Sequence, residues 1–151
     1  MGTDPLTSDR ANRITEAIED IERNLSSLRE KQHLSRAEYK ASDEQDLRDA
    51  VERKFEKLTE AVLDIADQLL KHERGSSPRG RKDKIRELRR EGVIDSALTE
   101  RLLDAVEFRD VLSHTYGPIV NDDIVYDSLQ TGLERYVEFA EAVDEYVHTR
   151  T

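Results

Sequence analysis

Cysteine is absent from the 151 residues, which excludes a disulfide framework and a thiolate metal site. No apolar run approaches the ~20 residues that a membrane-spanning helix needs, so no membrane association is expected. Met1–Ser8 is polar and lacks the pattern of a secretory leader, so the chain reads as cytoplasmic, with residues 1–8 expected to be flexible. Aromatics make up only 5% of the chain, β-branched clusters are short, and apolar–polar alternation is never sustained, which argues against strands. The four histidines, His33, His72, His114 and His148, show no ligand spacing; neither a metal site nor a bound cofactor is expected. Lysine is scarce, at seven of 24 basic residues.

Charge, by contrast, is abundant. Charged residues make up 38% of the chain and the net charge is −10, a field that repels phosphates and disfavours nonspecific nucleic-acid binding. An acidic, lysine-poor surface suits molar salt, where the Debye length falls to about 3 Å. The composition therefore suggests a salt-loving source.

Helical periodicity recurs along the chain. Ser8 can cap a first helix whose apolar residues Ile14, Ile18, Ile21, Leu25 and Leu28 step by four and three, ending near Lys31. Ser35-Arg36-Ala37-Glu38 has the form of a capping box; whether residues 35–46 join the next helix is open at this level. A strong stripe follows: Leu47, Val51, Phe55, Leu58, Val62, Ile65 and Leu69. Gly75 stands where a helix ends, and Gly75-Ser76-Ser77-Pro78-Arg79-Gly80 reads as a loop.

A short helix over roughly 81–91 stops at Gly92, and Val93 and Ile94 are expected under the bundle. Asp95 or Ser96 caps another helix, with Leu98, Leu102, Ala105, Val106 and Leu112 facing inward until Gly117-Pro118 ends it. Asn121, Asp122 and Asp123 suit the start of a last helix striped by Leu129, Leu133, Tyr136, Val137, Ala140, Val143 and Val147. Four substantial helices and one short one predict a single all-α domain over 1–151, an up-down four-helix bundle with an extra short helix.

Two segments could carry chemistry. Arg109-Asp110-Val111-Leu112-Ser113-His114-Thr115-Tyr116-Gly117 combines a guanidinium, an imidazole and a phenol at a helix end. A guanidinium can hold a phosphate in bidentate fashion, and an imidazole can move protons at neutral pH. In an ideal helix Arg109 and His114 stand about 140° apart around the axis. They meet only if the last turn loosens or another chain completes the site. The plain reading makes His114 a helix-end residue and Arg109 a surface cation.

The second segment is the basic run from Arg79 to Arg90. Its seven cations, Arg79, Arg81, Lys82, Lys84, Arg86, Arg89 and Arg90, stand against two acids. It could dock RNA backbone or an acidic partner, or be a solvated helix face. Glu52, Glu56 and Glu60 read as solvent surface, and His33, His72 and His148 are given no role.

Arg, four residues, His, any residue, Tyr at the end of the penultimate long helix resembles the signature of HEPN-domain proteins, and most closely their HepT-like branch. Gly92-Val93-Ile94 and Asp64-Ile65-Ala66 are similar to segments that many members carry. Asp110 is a departure, because asparagine is commoner there. The resemblance implies a homodimer with the motif helices of two subunits lining one cleft. It also implies a metal-independent endoribonuclease acting on single-stranded, tRNA-like or mRNA substrates. Arg109 would bind the scissile phosphate, His114 would move protons, and Asp110 would orient the site. A partner nucleotidyltransferase antitoxin of the MNT type would transfer AMP to Tyr116 and silence the toxin. Two other readings stand beside this one: a non-catalytic substrate-binding or AMP-accepting partner of a nucleotidyltransferase, and a purely structural helical dimer.

Overall fold

The first helix, α1 (Ser8–Arg29), begins one residue earlier than expected. Thr7 is the cap: its backbone is extended (φ −63°, ψ 155°) and its side-chain oxygen accepts from the Arg10 amide at 3.3 Å, whereas Ser8 is already helical. The computed structural model describes residues 6–113 and 122–149, and among these every regular element is an α-helix. Leu6 packs partly against the core. Ile14, Ile21, Leu25 and Leu28 are buried, and Ile18 packs at their edge.

Residues 35–46 do not continue into the next helix. Ser35 and Glu38 form both hydrogen bonds of a capping box, at 3.1 and 2.8 Å, around a one-turn helix, α2 (Arg36–Tyr39). The long helix α3 (Gln45–Arg74) starts afterwards. Arg48, a buried residue of α3, holds the corner by donating to the carbonyls of Tyr39 (2.9 Å) and Ala41 (2.6 Å). The Tyr39 carbonyl lies where α2 stops and the helix no longer supplies it a donor, while that of Ala41 also accepts from the Glu44 amide at 3.0 Å. The expected α3 stripe is buried from Val51 to Leu69, with Leu47 at its edge. Gly75 ends the helix in the left-handed conformation at φ +82°.

The short helix α4 (Arg81–Arg90) buries Ile85 and Leu88, and Val93 and Ile94 tuck into the core as expected. Asp95, of the two candidate caps, takes the Leu98 amide at 2.8 Å and opens α5 (Ser96–Ser113).

The expected last helix is two helices, α6 (Asp122–Thr131) and α7 (Glu134–His148). At the break a Cβ on Gly132 would lie 2.8 Å from the Ser128 carbonyl oxygen, an approach open only to glycine. The inward stripe of α7 is also rotated from the expected one. Tyr136, Phe139, Val143 and Tyr146 are buried, while Val137 and Val147 are only partly so and Ala140 is intermediate. The larger aromatic surfaces take the core.

The four long arms form an up-down bundle. Arg13 shares a groove with Asp64 while Asn24 shares one with Asp49, so α1 and α3 run antiparallel. Arg74 near the end of α3 pairs with Glu91, just before α5 begins, while Arg109 near the end of α5 faces Glu60, so α5 runs against α3; Phe55 meets Phe108 edge-on at 5.1 Å. Contacts from α5 to α7 and from α7 to α1 close the ring around one core. Tyr126 donates to the Leu34 carbonyl (2.7 Å) and Gln32 to that of Leu129 (3.0 Å), fastening α6 to the α1–α2 link. Among the described residues no helix is long and apolar enough to cross a membrane.

Candidate active site

The site is built on the end of α5, and the register of that helix explains its geometry. Leu102, Ala105, Val106 and Leu112 are buried. Arg109 follows Ala105 by four and Val106 by three and precedes Leu112 by three, so at about 100° per residue it falls inside the buried stripe. A cation thus occupies a core-facing position, with its side chain only 19% exposed. That rules out the reading of Arg109 as a surface cation. Its Nε is buried without a hydrogen-bond partner. Burying such a group is costly unless it is paired, yet its pairing is loose: Nη2 lies 3.6 Å from Glu60 Oε1 on α3, and Nη1 lies 3.8 Å from Asp110 Oδ1. Neither contact is within hydrogen-bonding distance.

Asp110, one step around the helix, faces α4, where its Oδ1 accepts a hydrogen bond from Arg81 Nη1. Phe108 is buried on Phe55 and anchors this turn of α5 to α3. Neither Phe108 nor the Arg109–Glu60 contact was foreseen. Phe108 lay just off the expected stripe, and Glu60 read as one of several solvent-facing acids. Arg81 was expected in the basic run, not at the motif. His114, Tyr116 and the rest of 114–121 lie outside the described residues.

The basic run is largely matched by acids of this chain. Besides Arg81–Asp110, Lys82 donates to Glu107 at 2.5 Å, Lys84 to Asp67 at 2.5 Å, Arg86 to Asp83 at 3.0 Å and Arg90 to Glu87 at 2.7 Å. Lys84 is turned inward, with its side chain 14% exposed, and also donates to the Pro78 carbonyl, tying the 75–80 loop down. Among the described residues Arg79 and Arg89 have no carboxylate partner, and Arg79, Arg81, Lys82 and Arg86 line a shallow groove of about 480 Å³ that reaches Asp110.

The electrostatics follow from these contacts. The Lys82 hydrogen bond holds the Glu107 carboxyl below its ordinary range. Burial pushes the Asp67 carboxyl up, but hydrogen bonds from Lys84 and Ser77 outweigh it and the net direction is down. Glu52, lower on α3, is pushed up by burial and by Asp49 and Asp122. No group of three or more His, Cys, Asp or Glu among the described residues is placed to hold a metal ion.

The arrangement offers a guanidinium with open hydrogen-bonding capacity at the end of a helix, between two carboxylates that it only loosely engages. That is an anion-binding chemistry. A family model described as "Ribonuclease HepT-like" matches residues 14–143. No curated protein sequence matches the chain. Among solved structures, a toxin–antitoxin crystallised with AMP-PNP superposes with a TM-score of 0.79 at 22% identity, covering 89% of this chain and 98% of that one. A tri-AMPylated Shewanella oneidensis HEPN toxin in complex with its MNT antitoxin superposes with a TM-score of 0.77 at 23% identity, covering 88% and 97%. At such identities the likeness is one of fold.

Proposed function

Because the chain belongs to the HepT-like ribonuclease family, we propose that it is a metal-independent endoribonuclease toxin of a toxin–antitoxin pair. The observation that carries this reading is the Arg109 guanidinium, set in a core-facing register yet only loosely paired. Such a group is held in place for an anion that arrives from outside. A phosphodiester can take two parallel N–H···O bonds from it, and the same contacts stabilise the charge that builds on the phosphorus oxygens during transfer.

RNA carries its own nucleophile. The ribose 2′-oxygen attacks phosphorus, the bond to the 5′-oxygen breaks, and a 2′,3′-cyclic phosphate and a 5′-hydroxyl result. One proton leaves the 2′-hydroxyl and one must reach the 5′-oxygen. His114 performs these transfers, the imidazoles of two subunits supplying base and acid across a shared cleft in a homodimer. Asp110 orients the site. Tyr116 is the off-switch: its phenol oxygen attacks the α-phosphorus of ATP on the partner nucleotidyltransferase, pyrophosphate leaves, and the bound AMP blocks RNA by charge and bulk. Docking by the basic segment rests chiefly on Arg79 and Arg89, since its other cations already have carboxylate partners.

The test is cleavage of total RNA and growth arrest on expression. Arg109→Ala and His114→Ala are each expected to lose cleavage by about 100-fold or more while remaining folded dimers. Undiminished cleavage by either would overturn the assignment. Incubation with ATP and the partner nucleotidyltransferase is expected to add AMP to the wild type and not to Tyr116→Phe, read by intact mass. The matched charges of α4 favour one second reading, a non-catalytic AMP-accepting partner. On that reading the AMP adduct forms but the wild type, like both variants, leaves RNA uncut.

A further inference from the structure

Resting on the reading that Arg109 binds the phosphate, we infer that Glu60 and Arg81 set how strongly it does so. Glu60 is the resident carboxylate that a phosphate displaces from Arg109, and Arg81 is the cation that keeps Asp110 from replacing it.

Four charges of alternating sign run across three helices: Arg81 on α4, Asp110 and Arg109 on α5, and Glu60 on α3. Two guanidinium groups aim an Nη1 at the same oxygen, Asp110 Oδ1. Arg81 reaches it with a hydrogen bond, while Arg109 stands off at 3.8 Å. The Arg81 hydrogen bond draws that oxygen toward α4 and away from Arg109. A carboxylate hydrogen-bonded to the guanidinium would fill one of the two N–H positions that a bidentate phosphate needs.

On the other side, Glu60 lies 3.6 Å from Arg109 Nη2 with its own side chain 59% exposed. A pair outside hydrogen-bonding distance, with its carboxylate facing solvent, is weak, so it can hold the guanidinium in place and still yield to a stronger anion. Glu60 also adds a negative charge at the mouth of the site, and the incoming phosphate must overcome its repulsion. Arg81 and Glu60 are therefore positioning residues with opposite effects.

The experiment uses the full-length protein and a 2′-O-methyl oligoribonucleotide, which has no free 2′-hydroxyl to attack, with binding read by fluorescence anisotropy at fixed salt. Glu60→Gln is expected to tighten binding by about two- to fivefold, and in cleavage to lower KM with kcat little changed. Arg81→Ala is expected to weaken binding, Arg81→Lys to restore much of it, and Asp110→Asn to abolish the effect of Arg81→Ala. Unchanged or weaker binding by Glu60→Gln overturns the role of Glu60. A loss from Arg81→Ala that persists in full beside Asp110→Asn overturns the role of Arg81, making it a direct phosphate contact. Arg109→Ala separates the levels. If it loses binding while the other variants show no effect, this inference alone fails; if it binds like the wild type, the phosphate role of Arg109 fails and this inference with it.

Discussion

Arg109 occupies a position where the helix register calls for an apolar side chain. Its neighbours in the stripe, Ala105, Val106 and Leu112, are buried, and its own Nε has no partner. A group kept there against the demands of packing is expected to cost stability. Arg109→Met should therefore raise the urea midpoint, by the equivalent of up to about 1 kcal/mol, while abolishing RNA cleavage. A marked fall in the midpoint would show the guanidinium to be structural.

Asp67 is the converse case, a carboxylate whose partners stabilise the fold. Its folded pKa lies below the ordinary value because Lys84 and Ser77 donate to it despite its burial. The sign follows. The contribution is complete above the unfolded carboxyl range, near pH ~4, and is lost as pH falls through the lower folded value. Asp67→Ala should cost about 1–3 kcal/mol at pH 7 in urea titrations, with the difference from wild type shrinking below pH ~4. A difference independent of pH would contradict the ionic account.

At the level of elements, the breaks say most. The Gly132 step divides what the hydrophobic pattern reads as one helix, because the Ser128 carbonyl lies where a Cβ would go. Gly132→Ala should cost about 1–3 kcal/mol as the backbone shifts to relieve the contact, measured by chemical denaturation. An unchanged midpoint would mean that the break is soft. The α2 corner makes the same point with a charge: the buried Arg48 ends α2 by taking the Tyr39 and Ala41 carbonyls. Helix α4 is the element whose character the fold changes most. As a sequence it is a basic run; in the fold most of its cations face acids from α3, α5 or their own turn.

Over the whole molecule the net charge of −10 is the dominant fact. Raising NaCl from 0.1 to 1 M shortens the Debye length from about 10 to about 3 Å. Self-repulsion is then screened, and so are exposed pairs such as Arg36–Asp127. Because such pairs contribute little each, the melting temperature should rise with salt. A fall would show that the ion pairs outweigh the net charge. The same screening should ease the approach of RNA to an acidic protein, although each phosphate contact weakens in salt.

The sequence by itself determined most of the helices, the Ser35–Glu38 capping box and the Gly75 stop, because periodicity and such local signals are properties of contiguous residues. It also marked the Arg109–Tyr116 motif. It misread the last helix, where the backbone at Gly132 and the bulk of Phe139 and Tyr146 overrode an aliphatic stripe. What only the tertiary structure decided is the setting of Arg109: its place in the buried stripe, the loose contact with Glu60 and the diversion of Asp110 to Arg81. Glu60 and Arg81 lie far from the motif along the chain, and only the packing of α3, α4 and α5 against one another brings their charges to it.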